Sequence, residues 1–174
     1  VSQANAWQII RFISHWMNAN FLKLNPEKTE LLVVGIGENQ WSNSFWPPEM
    51  GPAQRPAQSV KCLGLMLDVD LSMSKQVSSV CGTCITTLRW LRKLVTMVST
   101  STLRSAVQMM VISHLDYRNT LCAGITGQLL HKLQTVQNDA ARLIYKVPRF
   151  TQASPLLHEL HWLPICHKVT FKAM

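Results

Sequence analysis

The sequence predicts an α+β protein in which a small antiparallel sheet precedes a basic bundle of helices. Over residues 29–34 and 58–67 the apolar residues form short runs typical of strands, and from Ser74 onward they recur at three- and four-residue steps typical of helices. The charge divides at nearly the same place: the first 74 residues hold five Lys/Arg against six Asp/Glu, and the rest hold twelve against three, a net charge of +9. We therefore expect two parts, with the boundary near residues 71–74.

The first segment is expected to begin with a helix over residues 4–22. Its apolar positions recur at helical steps and are Ala6, Ile10, Ile13 and Met17. Asn25-Pro26 ends this helix, because the residue before a proline is pushed out of the α region.

Two apolar runs of the first segment are predicted to be strands. The run "TELLVV" (29–34) fits a buried strand, and "QSVKCLGLML" (58–67) fits the next one. Gly64 inside the second run indicates a bulge or a close backbone approach. Four prolines between them predict an irregular chain over 38–57, with a short edge strand near 43–46.

The helical segment is predicted to hold three main helices, each with an apolar stripe. The first stripe is Val77, Val80, Cys84, Leu88, Leu91 and Val95. The second is Leu103, Val107, Met110, Val111 and His114. The third is Leu129, Leu133, Val136, Ala140 and Leu143, and Pro148 ends its helix. A shorter helix is predicted over 152–160, followed by a packed loop around Trp162 and Pro164.

The composition restricts the classes of function. A hydrophobic fraction of 47% is enough for a packed core, and no apolar run is long enough to span a bilayer, so no membrane partner is expected. Five scattered cysteines are too sparse for a disulfide scaffold in a chain of 174 residues. They predict reduced thiols and an intracellular location, the nucleus included.

Two groups of residues invite a metal or redox interpretation, and for each a structural role is favoured. Asp68 and Asp70 alternate along a predicted strand, but they lie where the strand ends, and acidic residues there commonly cap a following helix. Cys81 and Cys84 form one CxxC pair without a second Cys or His pair at zinc-finger spacing, and Cys84 belongs to an apolar stripe. We therefore expect no metal site.

The basic residues of the helical segment are the candidate binding site. Arg89, Arg92 and Lys93 fall on one side of the first helix of the bundle, away from its apolar stripe. Arg142 and Lys146 are predicted to lie on the outer face of the third. A one-sided basic domain favours a polyanionic partner, usually nucleic acid, and the alternative is a solvated surface.

Five sequence blocks, in order, resemble the C-terminal half of reverse transcriptases from LINE-type non-LTR retrotransposons. The resemblance covers almost the whole chain, and the ordered set is more specific than any single block. The blocks are "WMNANFLKLNPEKTELLVVG" (16–35), "VKCLGLMLDVDLSM" (60–73), "ISHLDYRNTLCAGI" (112–125), "LLHKLQTVQNDAARLI" (129–144) and "LHELHWLPI" (157–165).

The resemblance implies a role for each segment. Residues 1–73 would be the end of the polymerase palm, with Cys62, Leu63 and Gly64 in the primer-grip hairpin and Lys28 in a palm motif near the incoming triphosphate. Residues 74–150 would be the helical thumb, and 151–174 would begin the region beyond it. The implied partner is an RNA or DNA template–primer duplex, and the intact enzyme would need Mg²⁺.

The chain differs from that family in the residues that carry out catalysis. Two-metal polymerase chemistry needs aspartates that the family carries in a Tyr/Phe-Ala-Asp-Asp turn, and no such tetrapeptide occurs here. Since the chain also begins at Val1, we expect a fragment that lacks the catalytic aspartates, needs no cofactor itself and does not polymerise. Lys28 could instead be a solvated turn lysine. Two other functions stay open: a non-catalytic basic nucleic-acid-binding module and an unselected translated remnant.

Overall fold

The computed structural model of the chain describes residues 3–35, 57–117 and 124–174. The edge strand predicted near 43–46 and nearly all of the proline-rich segment lie outside these residues. The described chain is mostly helical, with a small two-stranded antiparallel sheet, so the α+β class is confirmed. The chain forms two compact units, Val1–Leu71 and Ser72–Met174, which divide within the boundary region predicted near 71–74.

The first unit begins with helix α1, Gln3–Ala19, which ends three residues earlier than predicted. Asn20 closes the helix, because its side-chain amide donates a hydrogen bond of 2.8 Å to the carbonyl oxygen of Trp16. A 3-10 turn, Pro26–Lys28, follows, and the Asn25 side chain accepts a hydrogen bond of 3.0 Å from the Glu27 amide.

The predicted strand over 29–34 is wrong. These residues carry no regular secondary structure, although Leu31, Leu32 and Val33 are half-buried. A strand needs a ladder of backbone hydrogen bonds to a neighbour. Within the described ranges, the backbone bond recorded here is one of 2.8 Å from the Ala57 amide to the Leu31 carbonyl oxygen.

The second predicted strand is instead a hairpin. Strands β1, Ser59–Cys62, and β2, Leu65–Asp68, pair antiparallel with Cys62 opposite Leu65. The turn residues Leu63 and Gly64 have φ angles of 48° and 80°. Two-residue hairpin turns with positive φ at both positions match the twist of the paired strands. Gly64 therefore marks a turn and not a bulge.

The second unit is built on two long helices, α2 (Ser74–Leu94) and α5 (Gly127–Ile144). Their predicted stripes are confirmed, since every position of the α5 stripe is buried and every position of the α2 stripe is buried or half-buried. The two stripes share one continuous core, which includes Leu88, Leu91, Leu133 and Ala140.

The helix predicted around 103–114 is interrupted by a wide turn. Helix α3, Thr100–Val107, runs through a π-helical turn, Gln108–Ile112, into α4, Ser113–Asp116. The buried residues here are Leu103, Val107, Val111, Ile112 and Leu115. Met110 and His114, which we predicted to be in the stripe, are exposed, because the wide turn changes which residues face the core.

Two short helices complete the second unit. Helix α6, Ser154–Glu159, matches the helix predicted over 152–160, but α7, Ile165–Ala173, was not predicted. Trp162 and Leu160 before α7 join the core. Residues 151–174, predicted as a separate segment, belong to the same compact unit as residues 72–150.

Two glutamines of α5 hold the chain before α7. Gln137 is fully buried and donates a hydrogen bond of 3.0 Å to the carbonyl oxygen of Leu163. Gln134 accepts one of 2.8 Å from the Ile165 amide and donates one of 2.9 Å to Gln137. The buried amide of Gln137 is thus paired at both its nitrogen and its oxygen, as buried polar groups must be.

Candidate nucleic-acid interface

Helix α2 displays three cations on its solvent side. Arg89, Arg92 and Lys93 are all exposed, and their three- and four-residue spacing makes them neighbours on the helix surface. The sequence contains no Asp or Glu between Asp70 and Asp116. In the part of the chain that the structure describes, no carboxylate lies within ion-pair distance of the three cations. Within the described ranges, no ion pair therefore balances their charge.

The position of these cations has a structural benefit of its own. Arg92 and Lys93 lie in the last turn of α2, where unpaired carbonyl groups give the helix end a partial negative charge. Cations there stabilise a helix by about 0.3–1 kcal/mol. This stabilisation accounts for Arg92 and Lys93 without any binding role. Arg89 lies one turn earlier, where the effect of the helix end is weaker.

Trp90 helps to position Lys93. The Lys93 ammonium lies 4.6 Å from the centre of the Trp90 ring, and Trp90 is itself exposed. Such a cation–π contact contributes about 0.5–1 kcal/mol at an exposed site. One face of the indole is therefore occupied by a side chain of its own helix.

Two observations show which helix ends meet in the second unit. Helix α3 follows α2 after residues 95–99, and the Cys84 thiol approaches the carbonyl oxygen of Val111, in the π-helical turn beyond α3, at 3.8 Å. The chain therefore runs back along α2, and the end of α2 lies beside the start of α3. Burial raises the pKa of Cys81, and the charge of Lys132 opposes that rise, so Lys132 of α5 lies near Cys81 of α2.

Arg104 extends the cationic group beyond α2. Burial and the Glu159 carboxylate raise the pKa of Tyr145, and the charge of Arg104 on α3 opposes the rise, so α3 lies beside the end of α5. The exposed Lys146 follows directly on α5. We call this end of the second unit the basic end, defined by Arg89, Arg92, Lys93, Arg104 and Lys146. Arg104 was not predicted as a binding residue, because the apolar stripe of its helix does not indicate which helix ends lie next to each other.

Arg142 has a different environment from the other predicted binding residues. Its side chain is mostly buried, and it donates hydrogen bonds of 2.9 Å to the Thr151 carbonyl oxygen and 3.0 Å to Asp139. Its charge is thus partly neutralised within the unit. Lys146, in contrast, is exposed, with a φ of 55° that ends the helix.

The candidate residues of the first unit lie on exposed turns. Lys28 is exposed in the 3-10 turn, and Cys62, Leu63 and Gly64 form the exposed tip of the hairpin. Asp68 is buried at the end of β2, whereas Asp70 is exposed beyond it. Among the described residues, no three His, Cys, Asp or Glu side chains are grouped so as to hold a metal ion.

The CxxC pair is part of the core. Cys81 and Cys84 both lie in the buried stripe of α2. Burial, with a smaller effect from Cys81, raises the pKa of Cys84 to about 11. Because the thiolate is the reactive and metal-binding form, a raised pKa disfavours redox and zinc chemistry here.

No protein-family model matches this chain, and neither does any curated protein or solved structure. The resemblance to reverse transcriptases therefore rests on the five sequence blocks alone. Within the described ranges, no helix is long and apolar enough to cross a membrane.

Proposed function

We propose that this chain is a portion of a non-LTR retrotransposon reverse transcriptase whose helical unit binds the RNA or DNA template–primer duplex. Three exposed cations carry this proposal, since among the described residues none of them has a carboxylate within ion-pair distance: Arg89, Arg92 and Lys93. In it, Arg89, Arg92 and Lys93 contact backbone phosphates, and Lys146 adds a contact from the end of α5.

The electrostatics of a duplex favour such a site. Double-stranded DNA carries about one negative charge per 1.7 Å of its axis and a layer of condensed counterions. Cations that neutralise phosphates release these counterions, which favours binding at low salt. Phosphate contacts carry no base information, so binding should show little sequence preference.

The proposal assigns no polymerase chemistry to this chain. Two-metal catalysis requires carboxylates that hold the ions against the 3′-hydroxyl and the triphosphate. Lys28 would act only within a larger polymerase, where it would lie near the incoming triphosphate. The family role of the hairpin tip, Cys62-Leu63-Gly64, as a primer grip is likewise part of the proposal.

A second candidate function is a non-catalytic nucleic-acid-binding module. The observation that favours it is the core of the second unit, which joins residues from α2 through α7 in one continuous cluster. A unit with its own core needs no catalytic partner to display a basic surface. Both candidate functions predict the same phosphate contacts. They differ in whether the chain acts as a portion of a polymerase or as a binding module without catalysis.

The salt dependence of duplex binding tests the basic end. The variant with Arg89, Arg92 and Lys93 all replaced by Gln should bind a duplex of about 16 base pairs more weakly than wild type. The slope of log affinity against log salt should flatten by up to about three units, since each phosphate that is no longer neutralised accounts for roughly 0.9. Fluorescence anisotropy of a labelled duplex from low to physiological salt measures both quantities.

The matched control removes three cations from elsewhere in the same unit. Lys75 and Lys132 lie on the early turns of α2 and α5, and Lys172 donates a hydrogen bond to the Asp116 backbone. Replacing these three by Gln lowers the net charge equally and should change the slope far less. Equal slopes in both triple variants would mean that only net charge matters and would remove the basic end as a site.

A further inference from the structure

The chain after α5 forms a short, closed turn over residues 145–151. The Val147 amide donates a hydrogen bond of 3.1 Å to the Arg142 carbonyl oxygen, and the Thr151 amide donates one of 3.1 Å to that of Pro148. Pro148 also restricts the backbone, since its ring fixes φ. Two backbone bonds and a proline therefore define the path of this turn.

A mostly buried guanidinium holds this turn against α5. Arg142 donates from Nε to the Thr151 carbonyl oxygen at 2.9 Å, and its second bond, of 3.0 Å, goes to Asp139. Its side chain is 18% exposed. Hydrogen bonds that involve an ionised group are about twice as strong as neutral ones. The position of the turn relative to the helix is therefore set.

The fixed turn displays an aromatic ring and a cation to solvent. Phe150 is 89% exposed, although its neighbours Thr151 and Ala153 are partly or fully buried. The Arg149 side chain is 82% exposed, and its contact with Asp139 is long, at 3.9 Å. An exposed ion pair of this length contributes little, so Arg149 can turn to another anion.

An exposed ring beside cations matches the chemistry of an unpaired nucleotide. Aromatic side chains stack on bases of any sequence, and neighbouring cations follow the phosphates. A ring on a fixed turn also loses little conformational freedom on binding. Trp90 is less suited to this role, because Lys93 already covers one of its faces.

We propose that Phe150 is a stacking site for an unpaired base, with Arg149 and Lys146 contacting the adjacent phosphates. The protein then prefers a duplex that carries a single-stranded tail over a blunt one. This inference rests on the proposed function, in which the basic end binds the duplex, and adds the class of nucleic acid that it selects.

The experiment compares three labelled DNA probes by fluorescence anisotropy at low salt, using the full chain. The probes are a blunt duplex, the same duplex with a four-nucleotide tail, and the single strand alone. Phe150→Ala should lose about 5-fold or more in affinity for the tailed duplex and the single strand, and less than about 2-fold for the blunt duplex. Phe150→Tyr should retain the preference for the tail.

Phe171→Ala is the matched control. Phe171 is 75% exposed on α7, whose Lys168 pairs with Asp116 at the opposite end of the second unit. Its replacement should leave the affinity for all three probes unchanged. Thermal unfolding of both alanine variants should match wild type, because both rings are exposed.

Each outcome separates the two proposals. Tail-independent binding, or an equal loss on blunt and tailed duplexes in Phe150→Ala, overturns the stacking site and leaves duplex binding in place. Phe150-dependent binding of the single strand without duplex binding supports the stacking site and overturns the duplex proposal. No binding to any probe overturns both proposals.

Discussion

The two units of the molecule differ in how they use their apolar residues. Among the described residues of the first unit, Leu65 is the one buried apolar side chain, whereas the second unit buries apolar residues from every helix. Helix α1 has a predicted apolar stripe, yet Ile13 of that stripe is 43% exposed. An apolar stripe thus predicts that a helix forms, but only a facing stripe decides whether it is buried.

Truncation of one apolar side chain in each unit tests this contrast. Leu133→Ala in the second unit should lower the free energy of unfolding by about 2–5 kcal/mol, because it removes a buried side chain and leaves a cavity. Phe12→Ala in the first unit should change it by less than about 0.5 kcal/mol, although it removes a larger side chain. Urea unfolding followed by circular dichroism measures both. A comparable effect of Phe12→Ala would contradict the exposure of Phe12 and would end the contrast between the units.

The buried thiol of the second unit predicts a decline of stability at alkaline pH. Burial raises the pKa of Cys84 to about 11 in the folded protein, above the ordinary value of 9.0. Between these values the unfolded chain has released a proton that the folded chain keeps, so the free energy of unfolding falls as the pH rises. The decrease should approach roughly 2 kcal/mol by about pH 11. Denaturant unfolding from about pH 8 to pH 11 measures it.

The first unit supplies the contrasting thiol for that experiment. Cys62 at the hairpin is exposed and should react with a thiol reagent at mildly alkaline pH much faster than Cys84. The Cys84→Ala variant should lose its share of the alkaline decline. Equal labelling rates for the two cysteines, or an unchanged decline in the variant, would contradict the burial of Cys84.

The cations of the second unit are expected to divide into structural and binding groups. Arg142→Gln should cost about 1–2 kcal/mol of stability, because the Thr151 carbonyl oxygen and Asp139 lose a charged donor. Arg89→Gln should change stability by less than about 0.5 kcal/mol and affect only salt-dependent binding. Thermal melting and duplex titration of the two variants separate the roles. A destabilisation by Arg89→Gln as large as that by Arg142→Gln would remove the distinction.

Sequence periodicity predicted the helices that bury one regular stripe. The stripes that contain Leu88 and Leu133 needed only a 3.6-residue repeat, which local sequence displays directly. The prediction of one continuous strand over 58–67, with a bulge or a close backbone approach at Gly64, was wrong. The run contains a hairpin turn at Leu63-Gly64, and its apolar pattern does not show that the chain reverses there. Helix α7 was missed because its path depends on Gln134 and Gln137, which lie about 30 residues earlier in the chain.

The candidate site was predictable in part for the same reason. Arg89, Arg92 and Lys93 share one helix, so their spacing alone shows that they are neighbours. The hydrogen bond of Arg142 to Thr151 and the proximity of Arg104 to Tyr145 arise between elements, and helical spacing does not contain them. Phe150 is exposed because Arg142 holds the turn against α5. From its apolar side chain alone, Phe150 would be expected to be buried.

The π-helical turn at Gln108–Ile112 shows how a helix can accommodate a surplus residue. The Ser113 amide bonds to the carbonyl oxygen of Gln108, five residues back, so this turn holds one residue more than an α-helical turn. An extra residue in a regular helix would rotate all later side chains by about 100°. Here the surplus stays within a single turn, and the burial of Leu115 beyond it continues the line of Leu103 and Val107. The π-helical turn therefore lets this segment contain one more residue while the side chains after the turn still face the core.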